Sequence, residues 1–450
     1  MSQSNDLGTE EIQALLVKMA VPASIGILVM SIYMIVDTIF VGNWVGPLGI
    51  AAITVVMPIV FLISSIGMSI GMGGASIISR ALGSEDKPKA LRTFGNQVTM
   101  TLILATIVVI IGSFFQEDIL VLFGGKGNIL APAKEYFQIL LLGIPCLAWA
   151  MMSNNVIRGE GKPKIAMTIM LVPAILNIIL DPILIIYFDM GIAGAAWATT
   201  ISYFSSAAYA AWFFIFSDSE LKISWSDLIL DFAIVREIFA IGGVTFARQG
   251  TISILAIVLN NSLFSYGGEI AVSIYGIINR MMMFAIFPIS GITQGFLPIA
   301  SFNYGAKKWQ RVLEIIRVSL RYGSFLAFLI FLLLIIFTES IASIFTNDLV
   351  LIEQSVPAMR MVFLATPLIT FQLIGSAYFQ AIGKAFPALL LTLTKQGFFL
   401  IPLIILLPPF LGLTGIWCAF PIADVLSAAV TYGYLRKELK GTLEGRENGE

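Results

Sequence analysis

Long apolar stretches alternate with short polar segments twelve times along this chain of 450 residues. A helix needs about 20 mostly apolar residues to cross the hydrocarbon core of a bilayer. Only 12% of the residues are charged and the mean hydropathy is +0.94, whereas soluble domains carry about 25% charged residues. The pattern predicts an all-α polytopic membrane protein with twelve transmembrane helices. It excludes a soluble enzyme, and we expect no catalytic site.

The first apolar stretch follows a polar, acidic segment and not a basic one, so we expect a retained span and not a secretory signal. We number the predicted spans 1 to 12 in chain order. They cover residues 16–41, 50–79, 95–116, 136–157, 165–187, 190–217, 238–265, 270–300, 322–338, 361–382, 386–408 and 412–435.

The basic residues are distributed unevenly between the two sides of the predicted membrane. Twenty of the 26 Lys and Arg residues fall on the side of the N-terminus, and three fall on the opposite side. Cytoplasmic loops carry an excess of such residues, so both termini are predicted to be cytoplasmic. The net charge of −1 provides no basic surface for a nucleic acid. We expect a monomer surrounded by membrane lipid.

Two halves of the chain match each other at a nearly constant offset, which chance recurrence of glycine-rich turns would not produce. The polar segment after span 6 divides the chain near its middle, and Asp37 falls opposite Asn260 across it. Segments 79–83 and 158–162 match 301–305 and 380–384 at one identical offset. Segment 191–194 matches 412–415 at an offset shorter by one position.

The repeat predicts two six-helix lobes related by a pseudo-twofold axis along the membrane normal, as in transporters that alternate access. We expect an N-terminal lobe over 1–217 that holds a cation site, and a cytoplasmic linker over 218–236. A C-terminal lobe over 237–436 and a cytoplasmic tail over 437–450 follow. A channel is the weaker alternative, because no ring of polar residues repeats around one pore.

Six ionisable residues lie well inside the predicted spans, where a charge costs at least about 2.5 kcal/mol and usually marks a partner or a transport path. The first half has two acids and no base, so its acids lack a basic partner in their own lobe. The six are Asp37, Asp181, Asp424, Arg248, Arg280 and Lys395.

Span 5 places Pro173, Asn177 and Asp181 at steps of four, on one helix face, and Pro182 frees backbone carbonyls there. Carboxylate, amide and carbonyl oxygens suit Na⁺ or a proton better than a soft metal. The chain has no histidine, so carboxylates must carry any proton. If Asp37 approaches Asp181, the two form one site, with Na⁺ as the metal if one binds. The alternative is that the polar side chains only bond neighbouring helices.

The remaining four residues belong to the second half. Arg248, Arg280, Lys395 and Asp424 form structural ion pairs or line a cavity of the C-terminal lobe. Spans 11 and 12 are consecutive and hence neighbours. We therefore expect Lys395 to pair with Asp424.

Several motifs together resemble the multidrug and toxic compound extrusion (MATE) family over essentially the whole chain, and in particular its DNA-damage-inducible and staphylococcal-type prokaryotic branch. The motifs are Val36–Gly42, Arg158–Pro163, Asn177 with Asp181 and Pro182, Gly191 with Gly194–Ala196, and Pro298–Lys307.

The resemblance implies export of amphipathic, often cationic compounds across the bacterial inner membrane, driven by Na⁺ or H⁺ without a cofactor. It implies a bend in span 1 at Pro22 and no acidic cation site in the C-terminal lobe. A flippase for lipid-linked sugars is the alternative function, although it calls for a strongly basic cavity. The cation-coupling residues implied by the resemblance are Asp37, Asn154, Asn177, Asp181 and Thr199.

Overall fold

A computed structural model describes residues 3–345 and 348–440, and it contains helices and no strand within those residues. In this described part of the chain, ten helical segments are long and apolar enough to cross a membrane. One of them, Phe232–Gly305, is broken at Gly268, whose φ of 62° is not helical, so it supplies spans 7 and 8. Gly191–Phe216, which is rich in small residues, completes twelve. The predicted all-α class is confirmed.

The observed helices extend several predicted spans, most of all spans 9 and 10, which begin at Trp309 and Leu349 instead of residues 322 and 361. Short helices and turns separate the spans. The spans are Ile12–Phe40, Pro47–Gly83, Lys87–Phe114, Leu130–Gly159, Pro163–Asp181 with the π-helical turn Pro182–Tyr187, Gly191–Phe216, the two parts of Phe232–Gly305, Trp309–Ile336, Leu349–Val362 with Ile369–Ala381, Ala385–Leu393 with the π-helical turn Thr394–Leu400 and Ile401–Leu406, and Leu413–Glu438. The shorter elements are Gln3–Thr9, Val41–Val45, Gln116–Leu122, Gly127–Ile129, Trp225–Leu228, Thr338–Phe345, Thr366–Leu368 and Pro408–Leu411.

Both halves make the same hydrogen bonds at the predicted offset. After spans 4 and 10 the chain turns at Gly161 (φ 82°) and Gly383 (φ 79°), a backbone conformation that favours glycine. Side chains also bond backbone carbonyls at equivalent positions of the repeat. The paired bonds are Ser79 to the carbonyl of Gly159 (2.8 Å) and Ser301 to that of Ala381 (3.0 Å), and Asn154 to the carbonyl of Ala166 (2.5 Å) and Ser376 to that of Ala388 (3.3 Å).

The hydrophobic core of the first half lies mainly on spans 2, 4 and 6. Glycines allow spans 2 and 4 to approach backbone to backbone. A Cβ atom on Gly67 would lie 2.8 Å from the carbonyl oxygen of Ala148, and one on Gly71 would lie 2.9 Å from the Cα atom of Met152. The small residues thus hold span 4, which carries Asn154, close against span 2.

The chain forms two compact units whose boundaries differ from the predicted lobes. The first unit comprises the residues up to Leu7 and Val21–Thr245, so it includes the predicted linker. Asn96 in span 3 fixes that linker, because its amide nitrogen donates to the carbonyl of Ile229 (3.2 Å) and its oxygen accepts from the amide of Asp231 (2.8 Å). The start of span 7 is bound to the same unit through the ion pair of Glu237 with Arg80 (2.9 Å).

A second attachment joins the linker to the turn after span 4. One oxygen of Glu160 accepts hydrogen bonds from the hydroxyl of Ser219 (2.7 Å) and from the amides of Glu220 (3.0 Å) and Leu221 (3.2 Å), while its other oxygen is buried without a partner. Burial raises the pKa of Glu160 to about 7, against the opposing effects of the Ser219 hydrogen bond and the nearby Lys162 charge. Residues 218–221 are therefore bound to the first unit and are not a free linker.

The second unit comprises Gly8–Ala20 and Phe246–Glu450, of which residues 346–347 and the predicted tail beyond residue 440 lie outside the described residues. Its N-terminal segment is bound through backbone groups. Lys308 donates to the carbonyl of Gly8 (2.8 Å) and Arg311 to that of Glu10 (2.7 Å). The beginning of span 1 is thus assigned to this unit, whereas the rest of span 1 belongs to the first.

Candidate cation site in the first unit

Asp37 and Asp181 come from different helices and meet in the interior of the first unit. Asp37 lies in the last turn of the span 1 helix, and Asp181 ends the regular helix of span 5. Pro182, which lacks an amide hydrogen, begins the π-helical turn that follows. Both side chains are buried, and their carboxyl groups lie close enough to interact directly. The structure thus brings together two carboxylates that lie four spans apart in the sequence.

Three buried oxygen atoms at this place have no hydrogen-bond partner: Asp37 Oδ1, Asn177 Oδ1 and Asp181 Oδ2. The amide nitrogen of Asn177 donates to Thr199 Oγ1 (3.3 Å) and to Asp181 Oδ1 (3.5 Å), which orients its own oxygen away from them. A buried polar atom without a partner costs about 1–3 kcal/mol. Three such atoms on residues in mutual contact are a fitting set of hard oxygen ligands for Na⁺ or a proton.

A cavity of about 30 Å³ lies beside these residues, with Asn154, Asn177 and Thr199 in its wall. That volume holds one or two water molecules. The rest of the wall comes mainly from apolar side chains, together with Tyr33 and Tyr203. The space therefore suits a small ion with little hydration.

Asn154 reaches this cavity with both of its polar atoms already engaged. Its oxygen accepts a hydrogen bond from Arg158 (2.8 Å), and its nitrogen donates to the carbonyl of Ala166 (2.5 Å). In this conformation it holds spans 4 and 5 together at the edge of the cavity. Its role as a cation ligand stays a prediction.

Three tyrosines also lie at the candidate cation site, although the sequence did not predict them as site residues. The hydroxyl groups of Tyr33 and Tyr203 lie close enough to interact, as do those of Tyr136 and Thr199. Tyr33 lies one turn before Asp37 and Tyr203 one turn after Thr199, a spacing that puts each pair on one helix face. This spacing could have indicated that Tyr33 and Tyr203 face the site. It is a weak indication, because tyrosine is also common at membrane interfaces without any role in a site.

In the second unit the predicted pair is confirmed. Lys395 Nζ lies 2.5 Å from Asp424 Oδ1, and both side chains are buried. Arg280 lies over the ring of Phe345, with 5.8 Å from its guanidinium carbon to the ring centre. Among the described residues neither Arg280 nor Arg248 forms an ion pair, so the four predicted cavity residues do not form one charged cluster.

The family model described as MatE matches this chain twice, over residues 22–183 and again over residues 245–406. One match falls in each half, which confirms the duplication. A multidrug export protein of Staphylococcus saprophyticus, MepA, is 29% identical over 411 residues, covering 91% of this chain and 90% of the relative. The MepA protein of Staphylococcus aureus is 28% identical over the same shares.

Solved structures agree over nearly the full length. A crystal structure of MATE in complex with MaL6 superimposes with a TM-score of 0.92 at 25% identity, covering 98% of this chain and 99% of the other. The outward-facing conformation of a multidrug resistance MATE family transporter of the MOP superfamily gives 0.91 at 25% identity, covering 97% of each chain. With its two family matches, the twelve spans of its described residues and its buried carboxylate pair, this chain belongs to the MatE family of membrane transporters.

Proposed function

We propose that this transporter exports amphipathic, often cationic compounds from the cytoplasm in exchange for Na⁺ or H⁺ flowing inward. The similar proteins named as multidrug exporters support the substrate class. The observation that carries the coupling is the group of partnerless oxygens on Asp37, Asn177 and Asp181. We place the protein in the bacterial inner membrane as a monomer. The bias of its basic residues supports a cytoplasmic position for both termini.

The cation supplies the charge that this site lacks. Two adjacent buried carboxylates cannot both be ionised at low cost, because burial and their mutual repulsion oppose it. Binding one positive charge removes that cost and favours the conformation in which the carboxylates stay together. Export follows if the substrate favours the conformation in which they separate, because the two ligands then displace each other.

A flippase for lipid-linked sugars needs basic side chains free to bind a pyrophosphate. Within the described residues, three basic side chains lie well inside the spans of the second unit. Lys395 is already neutralised by Asp424, and Arg280 lies over the ring of Phe345, so among these described residues only Arg248 is left without such a contact. This pairing favours the cation antiporter over the flippase.

The test is export by the purified protein in proteoliposomes, with a Na⁺ gradient and a pH gradient imposed separately. Asp37→Asn and Asp181→Asn should each abolish gradient-driven export, because each removes one carboxylate of the site. Asn260→Ala is the matched control, since Asn260 is the repeat counterpart of Asp37 and is exposed.

The gradient that drives export in the unchanged protein identifies the coupling ion. Equal loss of export in all three variants would contradict a site confined to the first unit. Full export by Asp37→Asn and Asp181→Asn would remove the proposed coupling role altogether.

A further inference from the structure

The buried ion pair of the second unit occupies the positions that form the cation cavity in the first. In the register that pairs Ser376 with Asn154, Lys395 corresponds to Pro173. In the register that pairs Gly415 with Gly194, Asp424 corresponds to Tyr203. Pro173 and Tyr203 both line the cavity. Where the first unit leaves space, the second therefore holds an ammonium group against a carboxylate.

The two registers are fixed by shared contacts and not by sequence similarity alone. The bond of Asn154 to Ala166 recurs, at equivalent positions, between Ser376 and Ala388. For spans 6 and 12, a Cβ atom on Gly194 would meet the carbonyl of the preceding helix at 2.9 Å, and one on Gly415 would do the same. The correspondence of Lys395 and Asp424 with cavity residues follows from these contacts.

Two further positions that line the cavity in the first unit carry polar side chains in the second unit. Gln372 and Thr392 stand where the first unit has Ala150 and Met170, two apolar residues of the cavity wall. Gln372 bonds the carbonyl of Leu391 (3.2 Å), and Thr392 shares a hydrogen bond with the hydroxyl of Ser376. The second unit thus has polar side chains at two positions where the first unit has apolar residues of the cavity wall.

A buried carboxylate requires one positive charge, and here the lysine supplies it at 2.5 Å. An ammonium group on a side chain cannot leave, whereas a free ion can exchange with either side of the membrane. We propose that Asp424 is a latent Na⁺ site that Lys395 keeps permanently filled, so that ion exchange is confined to the first unit. The inference extends the proposed function, whose cation site is the model for this second one.

Both sites lie beside irregular backbone. Lys395 is the second residue of the π-helical turn Thr394–Leu400, as Asp181 directly precedes the turn Pro182–Tyr187. Such turns widen a helix and often occur at functional sites. The two turns do not correspond in the repeat, because Thr394–Leu400 matches residues 172–178. Each unit therefore has its own irregular turn beside its buried charges.

The test removes the lysine from a chain whose first site is already disabled. In the background Asp37→Asn with Asp181→Asn, we would compare Lys395→Ala with the combined change Lys395→Ala and Asp424→Asn. Lys384→Ala is the matched control, because it breaks the ion pair of Lys384 with Glu438 (2.8 Å) at the end of the same unit's helices. Binding of radioactive Na⁺ and thermal unfolding in NaCl or choline chloride would be measured on the full chain in detergent.

Lys395→Ala should bind a stoichiometric amount of Na⁺ and unfold about 2–4 °C higher in NaCl than in choline chloride. The combined change and Lys384→Ala should show neither effect. The proposal is overturned if Lys395→Ala folds but binds no Na⁺, or if it is stabilised by low pH alone. It is also overturned if only the combined change folds, since Na⁺ then cannot replace the ammonium group. Because the background lacks both carboxylates of the first site, failure of the proposed function would appear separately, as undiminished coupled export by Asp37→Asn.

Discussion

Glu160, directly after span 4, should make the folded chain less stable as the pH rises. Its carboxyl group is fully buried, one oxygen accepts three hydrogen bonds from residues 219–221, and the other oxygen has no partner. Burial raises its pKa to about 7, whereas a glutamate in an unfolded chain has a pKa of about 4.3. The folded state therefore holds this proton more tightly than the unfolded state.

The sign and size of the effect follow from that difference. A group whose pKa is higher in the folded state contributes stability that is complete below about pH 4 and is lost as the pH rises through about 7. A tenfold difference in proton affinity corresponds to about 1.4 kcal/mol. Ionisation of Glu160 should therefore lower the free energy of unfolding by about 3 kcal/mol between about pH 4 and pH 8.

Thermal unfolding of the purified chain at a series of pH values would measure this. Glu160→Gln should remove this part of the pH dependence, because glutamine does not titrate and its oxygen can still accept the three hydrogen bonds. The unfolding midpoint of the unchanged chain should fall, relative to Glu160→Gln, by about 3 °C between about pH 5 and pH 8, because the unfolding entropy of so long a chain converts about 1 kcal/mol into about 1 °C. Glu353→Gln, at an exposed glutamate, should leave the slope as it is.

Parallel pH slopes for the unchanged chain and Glu160→Gln would refute the reasoning, because Glu160 would then have nearly the same proton affinity in both states. A slope of opposite sign would show that Glu160 is stabilised as a carboxylate. Loss of the slope in Glu353→Gln as well would point to a general charge effect and not to this buried group.

Three further outcomes are expected. A cysteine at Asn43 should react with an impermeant thiol reagent in intact cells, and one at Ser84 only after permeabilisation; the reverse pattern would overturn the predicted orientation. Pro22→Ala should weaken the negative linkage between cation and substrate while leaving cation binding intact, because proline removes a helical hydrogen bond and lets span 1 bend. Calorimetric titration would measure the affinity for each ligand with and without the other, and in the unchanged chain each ligand should weaken the affinity for the other by about 5- to 150-fold. Independent affinities in the unchanged chain would contradict this mechanism. Gly194→Ala should destabilise the fold, because its Cβ atom would lie 2.9 Å from the carbonyl of the preceding helix, whereas Gly433→Ala, with open space around it, should be neutral or stabilising in a melting assay.

The sequence predicts those features of the fold that depend on local composition. Apolar length identifies all twelve spans, and a polar break at Gly268 separates spans 7 and 8 even though the helix resumes at once. Unit boundaries depend on tertiary contacts, which composition does not reveal. The polar segment 218–231 resembles a linker, yet Asn96 and Glu160 bind it to the first unit through backbone groups that any sequence would offer.

The candidate site was predictable to the extent that charge in a membrane is costly. Asp37 and Asp181 are conspicuous for that reason, and so is the pair of Lys395 with Asp424. Tyr136 was not predictable, because its role depends on which face of span 4 turns toward Thr199. The hydrogen bond that Arg158 donates to Asn154 was not predictable either, because it depends on the conformations of the two side chains.

The hydrogen bonds shared by the two halves have main-chain carbonyls as their acceptors, at Gly159 and Ala381 and at Ala166 and Ala388. A main-chain acceptor is present whatever residue occupies the position. Mutation can therefore change every acceptor residue of this set without removing a bond, and only the donor hydroxyl or amide has to be kept. Duplicated halves built in this way can diverge in sequence far faster than in architecture, which leaves one half free to lose an ion site while its helices stay in register.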